Sequence, residues 1–508
     1  MDTQAKIEQR REEARKRQQQ IKKRENAKIS QKTKRSLAGI GATIVAILLI
    51  AALILPNTGL SRRMLKALTI GDKDISVAEF SYYYRLTFNN YYQTMYSYFQ
   101  GSYMPIDMTK SLKKQAYNDD MSYADYFSQQ AKDNLQQLVI LSEEAKKANF
   151  TLPEDVQNVY QTTLDGAKNN AEQEGVSVNT YLSNNFGMGF NMDTLEKCVY
   201  RELLAEAYKN EKQASFTFTD ADLEAYYQEN SKDFDVADIR LVRFSVVEGN
   251  ETTEAVTAEE AKAQADAFIE GITTEEEFAE KAVAKAEAEA EEGAEVQDTS
   301  RFRSLSFDDV TNVDVNLCDW IFNQDHADGS VAVVENASGD AYFAVYLTKA
   351  PYRNDNKTVD VRHILVRFED TTEESKEAAK SQAEMLYEQF LSYGATEDYF
   401  ATLAQQFSSD TGSQSNGGLY TGVYEGQMVD AFNDWCFDEA RFAGDSGIIE
   451  TEYGYHIMYF VGDNLPSWKM NVQNTLQTNA YSDWYMTVAE QYPVKEHAFA
   501  MKYRSEPI

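Results

Sequence analysis

The stretch Val359-Asp-Val-Arg-His-Ile-Leu-Val-Arg-Phe368 alternates with the two-residue period of a β-strand, so His363 shares a face with Val361 and Leu365. Gly454-Tyr-His-Ile-Met-Tyr-Phe460 alternates in the same way and sets His456 beside Met458 and Phe460. The chain has only four histidines, His326, His363, His456 and His497, and two of them stand on the outer strands of one small segment. A lone histidine on an apolar strand is usually a hydrogen-bonded core residue. A pair needs a better reason.

The same segment has an upstream copy. Asp238-Ile-Arg-Leu241 corresponds to Asp360-Val-Arg-His363 at an offset of 122, which also pairs Phe268 with Phe390 and Phe278-Ala279 with Phe400-Ala401. After a variable middle, Trp320-Ile-Phe322 matches Trp435-Cys-Phe437 at an offset of 115, as does Glu335 with Glu450. Matches in one order imply two tandem copies of an α/β module, about 237–350 and 357–463. The middle of the first copy, AVAKAEAEAEEGAEV, is acidic and of low complexity, and reads as a solvated helix or loop.

The rest of the 508 residues surrounds this pair, and that length suggests three or four units. Cys198, Cys318 and Cys436 are far apart, so neither a disulfide framework nor a zinc site is expected. Residues 1–37 carry 13 Lys/Arg and five Asp/Glu, a net +8, so the −33 of the whole chain leaves −41 for the remainder. An acidic body of that size repels nucleic acid, which is excluded as its partner. Leu37–Leu55 is 19 uncharged residues, roughly 28 Å as a helix, enough to cross a bilayer. The basic block before it places the N-terminus in the cytoplasm and the body outside. A cleaved signal peptide is the rival, but the n-region is long and the apolar run exceeds a typical h-region. The LPNTG string at 55–59 lies on the wrong side of the apolar run for a sortase signal and is read as chance.

Residues 1–36 form a basic tail, 37–55 the anchor and 56–67 a linker. Ser76-Val-Ala-Glu79 makes a capping box, and helical patterns follow through Asp125–Asn149, Glu154–Gly175 and Met192–Ser215. Thr219 with Asp222 opens another before LEAYYQEN. Residues 68–235 are therefore expected to be mostly helical. Their aromatic stripe, Tyr82 to Phe99, is either core or an adaptable surface for unfolded chains, with core the commoner reading. Trp468, Val472, Leu476, Trp484 and Val488 give residues 464–508 a helical spacing suited to docking on another domain.

The second copy resembles the parvulin family of peptidyl-prolyl cis/trans isomerases. The resemblance rests on Arg362-His-Ile-Leu-Val366, Phe400–Ala404, Phe407-Ser-Ser-Asp410, Gly417-Gly418, Gly426-Gln-Met428, Ala431-Phe432 and Thr451-Glu-Tyr-Gly-Tyr-His-Ile457, in order. The wider arrangement is similar to SurA/PrsA-type foldases. It implies an α+β chain: one transmembrane helix, a helical chaperone-like domain at 68–235, a degenerate parvulin-like module at 236–352 and an isomerase domain at 357–463.

The resemblance also implies roles. His363 and His456 become the paired histidines of a hydrogen-bond network supported by Thr451, and Asp410 faces the substrate peptide bond. Met428 and Phe432, with Leu419 or Tyr420, line the proline pocket, and Gln427 reaches the substrate backbone. The family usually has G-G-D-L-G where this chain has Gly417-Gly-Leu-Tyr-Thr421, which puts Tyr420 at the pocket leucine. Met428 and Phe432, four apart, are expected on one helix face, and Asp410 in a loop where its side chain matters little to stability. No cofactor or metal is implied, because rotating an X–Pro bond needs an apolar grip and a polar rim rather than a covalent step. The implied partners are unfolded or newly translocated proline-containing polypeptides, with the membrane reached through the anchor. The first copy has Leu241 for His363, Val313 for Met428, Leu317 for Phe432 and, with a short gap, Phe343 for His456, so it is expected to be inactive. The alternative function is a non-catalytic peptide-binding holdase that retains the fold.

Overall fold

Ser76 shows how local sequence starts the first long helix. Its hydroxyl accepts the Glu79 N–H while the Glu79 carboxylate accepts the Ser76 N–H, and this reciprocal cap opens α1, Val77–Tyr98. The computed structural model describes residues 6–24, 59–100, 103–249, 254–290 and 296–507. The Leu37–Leu55 span lies outside the described residues, among which no helix is long and apolar enough to cross a membrane. Two compact units divide the chain: one runs up to Lys212 and takes in Trp484 onward, and the other is Gln213–Asp483.

In the first unit α1 packs with α2 (Tyr123–Lys147), α3 (Glu154–Gln173), α4 (Val178–Phe186) and α5 (Met192–Ala214). A small antiparallel sheet joins β1 (Lys66–Ile70) to β2 (Lys73–Ser76) on one side and to Val494–Glu496 on the other. The aromatic stripe divides between its two readings. Tyr82, Tyr83, Tyr84 and Phe88 are core, whereas Tyr96 and Tyr98, about two to three turns on, are 51% and 77% exposed.

The second unit begins with α6 (Asp220–Glu229), capped by Thr219 and Asp222 as the sequence suggests. Tyr227 of α6 packs with Phe234, Trp468 and Val472, the last two on the start of α14, Ser467–Ala489. Two four-stranded antiparallel sheets follow. The first comprises β3 (Asp235–Ser245), β4 (Arg301–Ser306), β5 (Val331–Glu335) and β6 (Ala341–Arg353), in spatial order β4-β3-β6-β5. The second comprises β7 (Thr358–Arg367), β8 (Leu419–Tyr424), β9 (Ser446–Thr451) and β10 (Gly454–Asn464), in order β8-β7-β10-β9. The topology is the same twice. Even the irregularity between the first two strands recurs, between Ala237 and Ile239 and between Val359 and Val361. So does a buttress: Arg240 Nε meets Glu275 at 3.1 Å, and Arg362 Nε meets Glu397 at 3.0 Å.

The histidine strands are thus not outer but central. Helical crossovers carry the chain across the sheet, so the first and last strands of each module become neighbours. Between the strands of the first module run α7 (Ala258–Ile269), α8 (Glu275–Glu289), α9 (Phe307–Val313) and α10 (Val315–Phe322); the acidic middle is helical as far as Glu289, and α8 buries Phe278 and Ala282. In the second module, α11 (Glu373–Ser392) and α12 (Glu397–Phe407) cover one sheet face over Ile364, Val366, Ile457 and Tyr459. The opposite face carries Val359, Val361, Met458 and Phe460, with Phe432 of α13 (Asp430–Cys436) against them. The histidines point to this second face.

Candidate active site

Strand register builds the site. On the antiparallel pair β7–β10, His363 lies opposite Met458 and His456 opposite Leu365, so the imidazoles fall two residues apart on one face. They stack at 5.2 Å between centroids with planes 16° apart, and their Nδ1 atoms are 3.0 Å from each other. At their other ends, His363 Nε2 is 2.8 Å from Asp410 Oδ2 and His456 Nε2 is 2.9 Å from Thr451 Oγ1. Four residues from four chain segments therefore form one line, Asp410–His363–His456–Thr451.

The direction of the protons follows from Asp410. An ionised carboxylate only accepts, so His363 carries its proton on Nε2. In the neutral pair, His363 Nδ1 must then accept from His456 Nδ1–H, leaving His456 Nε2 to accept the Thr451 hydroxyl. Burial, and then repulsion from His363, lowers the His456 pKa from 6.5 to about 4 against the opposing pull of Asp410. At neutral pH this imidazole is uncharged. The hydrogen bond from His363 is the largest influence on Asp410 and holds it below the usual carboxylate range; burial opposes this, and Ser413 and Tyr420 add to it.

Asp410 is more deeply engaged than a Ser/Gly-rich loop suggested. Its side chain is 20% exposed. Oδ2 accepts from His363, from Ser413 Oγ at 2.5 Å and from Tyr420 Oη at 2.9 Å, while Oδ1 accepts the Gly412 N–H at 3.2 Å. Ser413, fully buried and also 3.1 Å from His363 Nε2, was missed by sequence reasoning. Its only signal was its place three residues after Asp410 in a turn.

The apolar wall stands over the imidazoles. The Phe432 ring presents edge-on to both, at 5.4 and 5.7 Å. Tyr420 lies opposite Val361, tilted over His363 at 5.2 Å, and Met428 packs against the same cluster. Met428 is not on the helix with Phe432, as its spacing predicted: Val429 is extended at φ −57°, ψ 149° and caps α13, so Met428 belongs to the preceding turn. Gln427 stays at the exposed rim, where its Oε1 takes the Tyr424 N–H at 3.1 Å. Leu419 pairs with Arg362 and so falls on the other sheet face, away from the histidines. Of the two pocket alternatives, only Tyr420 is on the histidine face.

The first module is the same cradle without the polar line. Phe343 lies opposite Arg243 where His456 lies opposite Leu365, and Leu241 opposite Val345 where His363 lies opposite Met458. Phe302 opposite Ile239 takes the place of Tyr420 opposite Val361. Leu317 is buried, while Val313 is 55% exposed.

Residues 345–462 match the family of PPIC-type PPIASE domains. The chain is 36% identical over 109 residues to "Foldase protein PrsA 3" of Bacillus anthracis, covering 21% of this chain and 31% of that protein. It is 30% identical over 113 residues to "Foldase protein PrsA 1" of Listeria innocua, covering 22% of this chain and 33% of that one. A match to "Chaperone SurA" of Pseudomonas syringae is 37% identical over 105 residues, 20% of this chain and 23% of that protein. The chain thus spans about a third or less of the length of these relatives. The second module is a parvulin-type domain set in a chain similar to PrsA and SurA foldases.

Proposed function

We propose that residues 357–463 catalyse cis/trans isomerisation of X–Pro bonds in unfolded or newly translocated polypeptides, and that the whole chain is an extracytoplasmic, membrane-anchored foldase. The observation that carries this reading is the Asp410–His363–His456–Thr451 line, its two imidazoles buried under the Phe432 ring. Breaking amide conjugation costs about 18–20 kcal/mol, and a site lowers that barrier by gripping the proline ring while polar groups favour the twisted amide. Phe432, Met428 and Tyr420 supply the grip. The histidine pair, fixed in one tautomer by Asp410 and Thr451, supplies an ordered polar floor with no charge on His456 at neutral pH.

In this reading residues 1–36 are the basic cytoplasmic tail, 37–55 the anchor, 56–67 a linker, 68–235 the chaperone-like domain, 236–352 the inactive module and 464–508 a helical closing segment. Exposed Tyr96, Tyr98 and Tyr103 favour client contact by the helical part, since tyrosine grips apolar peptide at low entropic cost. A prolyl-peptide isomerisation assay on the full chain tests the reading: turnover that vanishes with His363 and His456 supports it, and no turnover in folded wild type leaves the holdase alternative. Protease added to intact protoplasts tests the topology. Digestion of the body to a small membrane-bound fragment is expected, and protection of the body would reverse the orientation.

A further inference from the structure

Tyr420 has a hydroxyl that a pocket wall does not need. Its ring already covers His363, yet Oη reaches 2.9 Å from Asp410 Oδ2, the same oxygen that holds His363 Nε2. The internal repeat supplies a control. At the identical register position the first module has Phe302, the same ring without the hydroxyl, and there both histidine positions are Leu241 and Phe343. The hydroxyl occurs in the copy that has the histidines and is absent from the copy that lacks them. A residue serving only as an apolar wall gives no reason for that difference.

We infer that Tyr420 is a positioning residue that acts through Asp410, sharing its charge and fixing the His363 tautomer, as well as lining the pocket. Asp410 Oδ2 then has three donors, and the field it exerts on the histidine pair is partly neutralised by the phenol. Burial first, and the Asp410 bond next, hold the Tyr420 phenol above its ordinary range, so it remains a donor at every pH at which the protein functions.

This inference rests on the isomerase reading for its kinetic arm only. In Tyr420→Phe the ring stays, the fold is kept and only the donor goes. With that donor gone, Asp410 pulls harder on a proton at the imidazoles, so His456, which Asp410 already favours in its charged form against burial, should titrate at higher pH. Nuclear magnetic resonance of the full chain with labelled histidine reads this directly, since there are only four histidines. Expected are a KM for an X–Pro peptide within about twofold of wild type, a kcat lowered about threefold or more, and an upward-shifted histidine midpoint. Ser413→Ala, which removes another donor from the same oxygen, should move the midpoint the same way. A Tyr420→Phe variant with wild-type kcat and midpoint would overturn the inference, and so would a lower kcat with an unmoved midpoint. If wild type itself shows no turnover, the isomerase reading fails while the titration still decides the coupling.

Discussion

His363 and His456 meet Nδ1 to Nδ1 at 3.0 Å, which allows one proton between them and makes each ring's state depend on the other. The outer nitrogens are claimed by Asp410 and Thr451, so a single neutral arrangement satisfies every partner.

That arrangement makes the module acid-sensitive from the histidine side. Folding lowers the His456 pKa from 6.5 to about 4, so the native state binds fewer protons than the unfolded chain between those values. Stability is full above about 6.5 and falls as pH drops through this window, by about 3 kcal/mol in all. Asp410, held below its ordinary range, adds a further loss only as pH falls below about 4. Hydrogen exchange of the β7 and β10 amides at pH 7 and pH 4.5 should show faster opening at the lower pH. In His456→Phe, the first module's own residue at this position, that part of the pH dependence should be absent.

Asp410→Ala should now cost both stability and turnover. The substitution strands the Nε2 proton of His363, the Ser413 hydroxyl and the Tyr420 hydroxyl, each at about 1–3 kcal/mol if no water replaces the acceptor. A loss of about 3 kcal/mol and of at least about tenfold in kcat is expected. Asp410→Asn keeps the volume and one acceptor and should unfold later than the alanine variant while still losing activity. Thermal unfolding and isomerisation measured on the same samples check both; an unchanged melting curve with Ala would mean the carboxylate is not holding these donors.

Much of this site was legible in the sequence because it depends on strand alternation, which has a strict period. His363, His456 and their apolar neighbours follow from it, and alternation alone would have separated Leu419 from Tyr420. Other features have no such period. Met428 and Phe432 have helical spacing, but the helix starts between them, at an extended Val429 that carries no capping side chain. Ser413 is a common residue type whose role appears only when the turn folds it onto Asp410. The central position of the histidine strands reflects crossover connections, which strand patterns do not encode. The tyrosine stripe divides where neighbouring helices stop covering α1, and its composition does not change there.

Phe432→Ala and Met428→Ala should separate grip from scaffold. Phe432 is buried and edge-on to both imidazoles, so its truncation should cost about 3–5 kcal/mol of stability together with much of the activity. Met428 is only partly buried in a turn, and its truncation should raise KM with a melting temperature close to wild type. Equal destabilisation by the two would show that Met428 is core rather than pocket.

Gly418 has φ +74°, and a Cβ there would lie 2.2 Å from the His363 carbonyl oxygen, while its own carbonyl accepts the His363 N–H at 2.8 Å. The first module makes the same backbone bond, Leu241 N–H to Ser300, with an ordinary side-chain residue. The tight approach therefore belongs to the copy that must hold a histidine against Asp410, not to the fold in general. Gly418→Ala should strain this junction, displace His363 from Asp410 and lower activity more than it lowers the content of folded sheet. Ser300→Gly in the first module should leave isomerisation unchanged, because the proposed function places the turnover in the second module. In the double variant His363→Ala/His456→Ala of the full chain, turnover should fall to background, by less than the product of the two single effects if the pair acts as one unit. Residual turnover in that variant would show that an apolar grip without the histidine pair suffices, and the requirement for a polar line would be wrong.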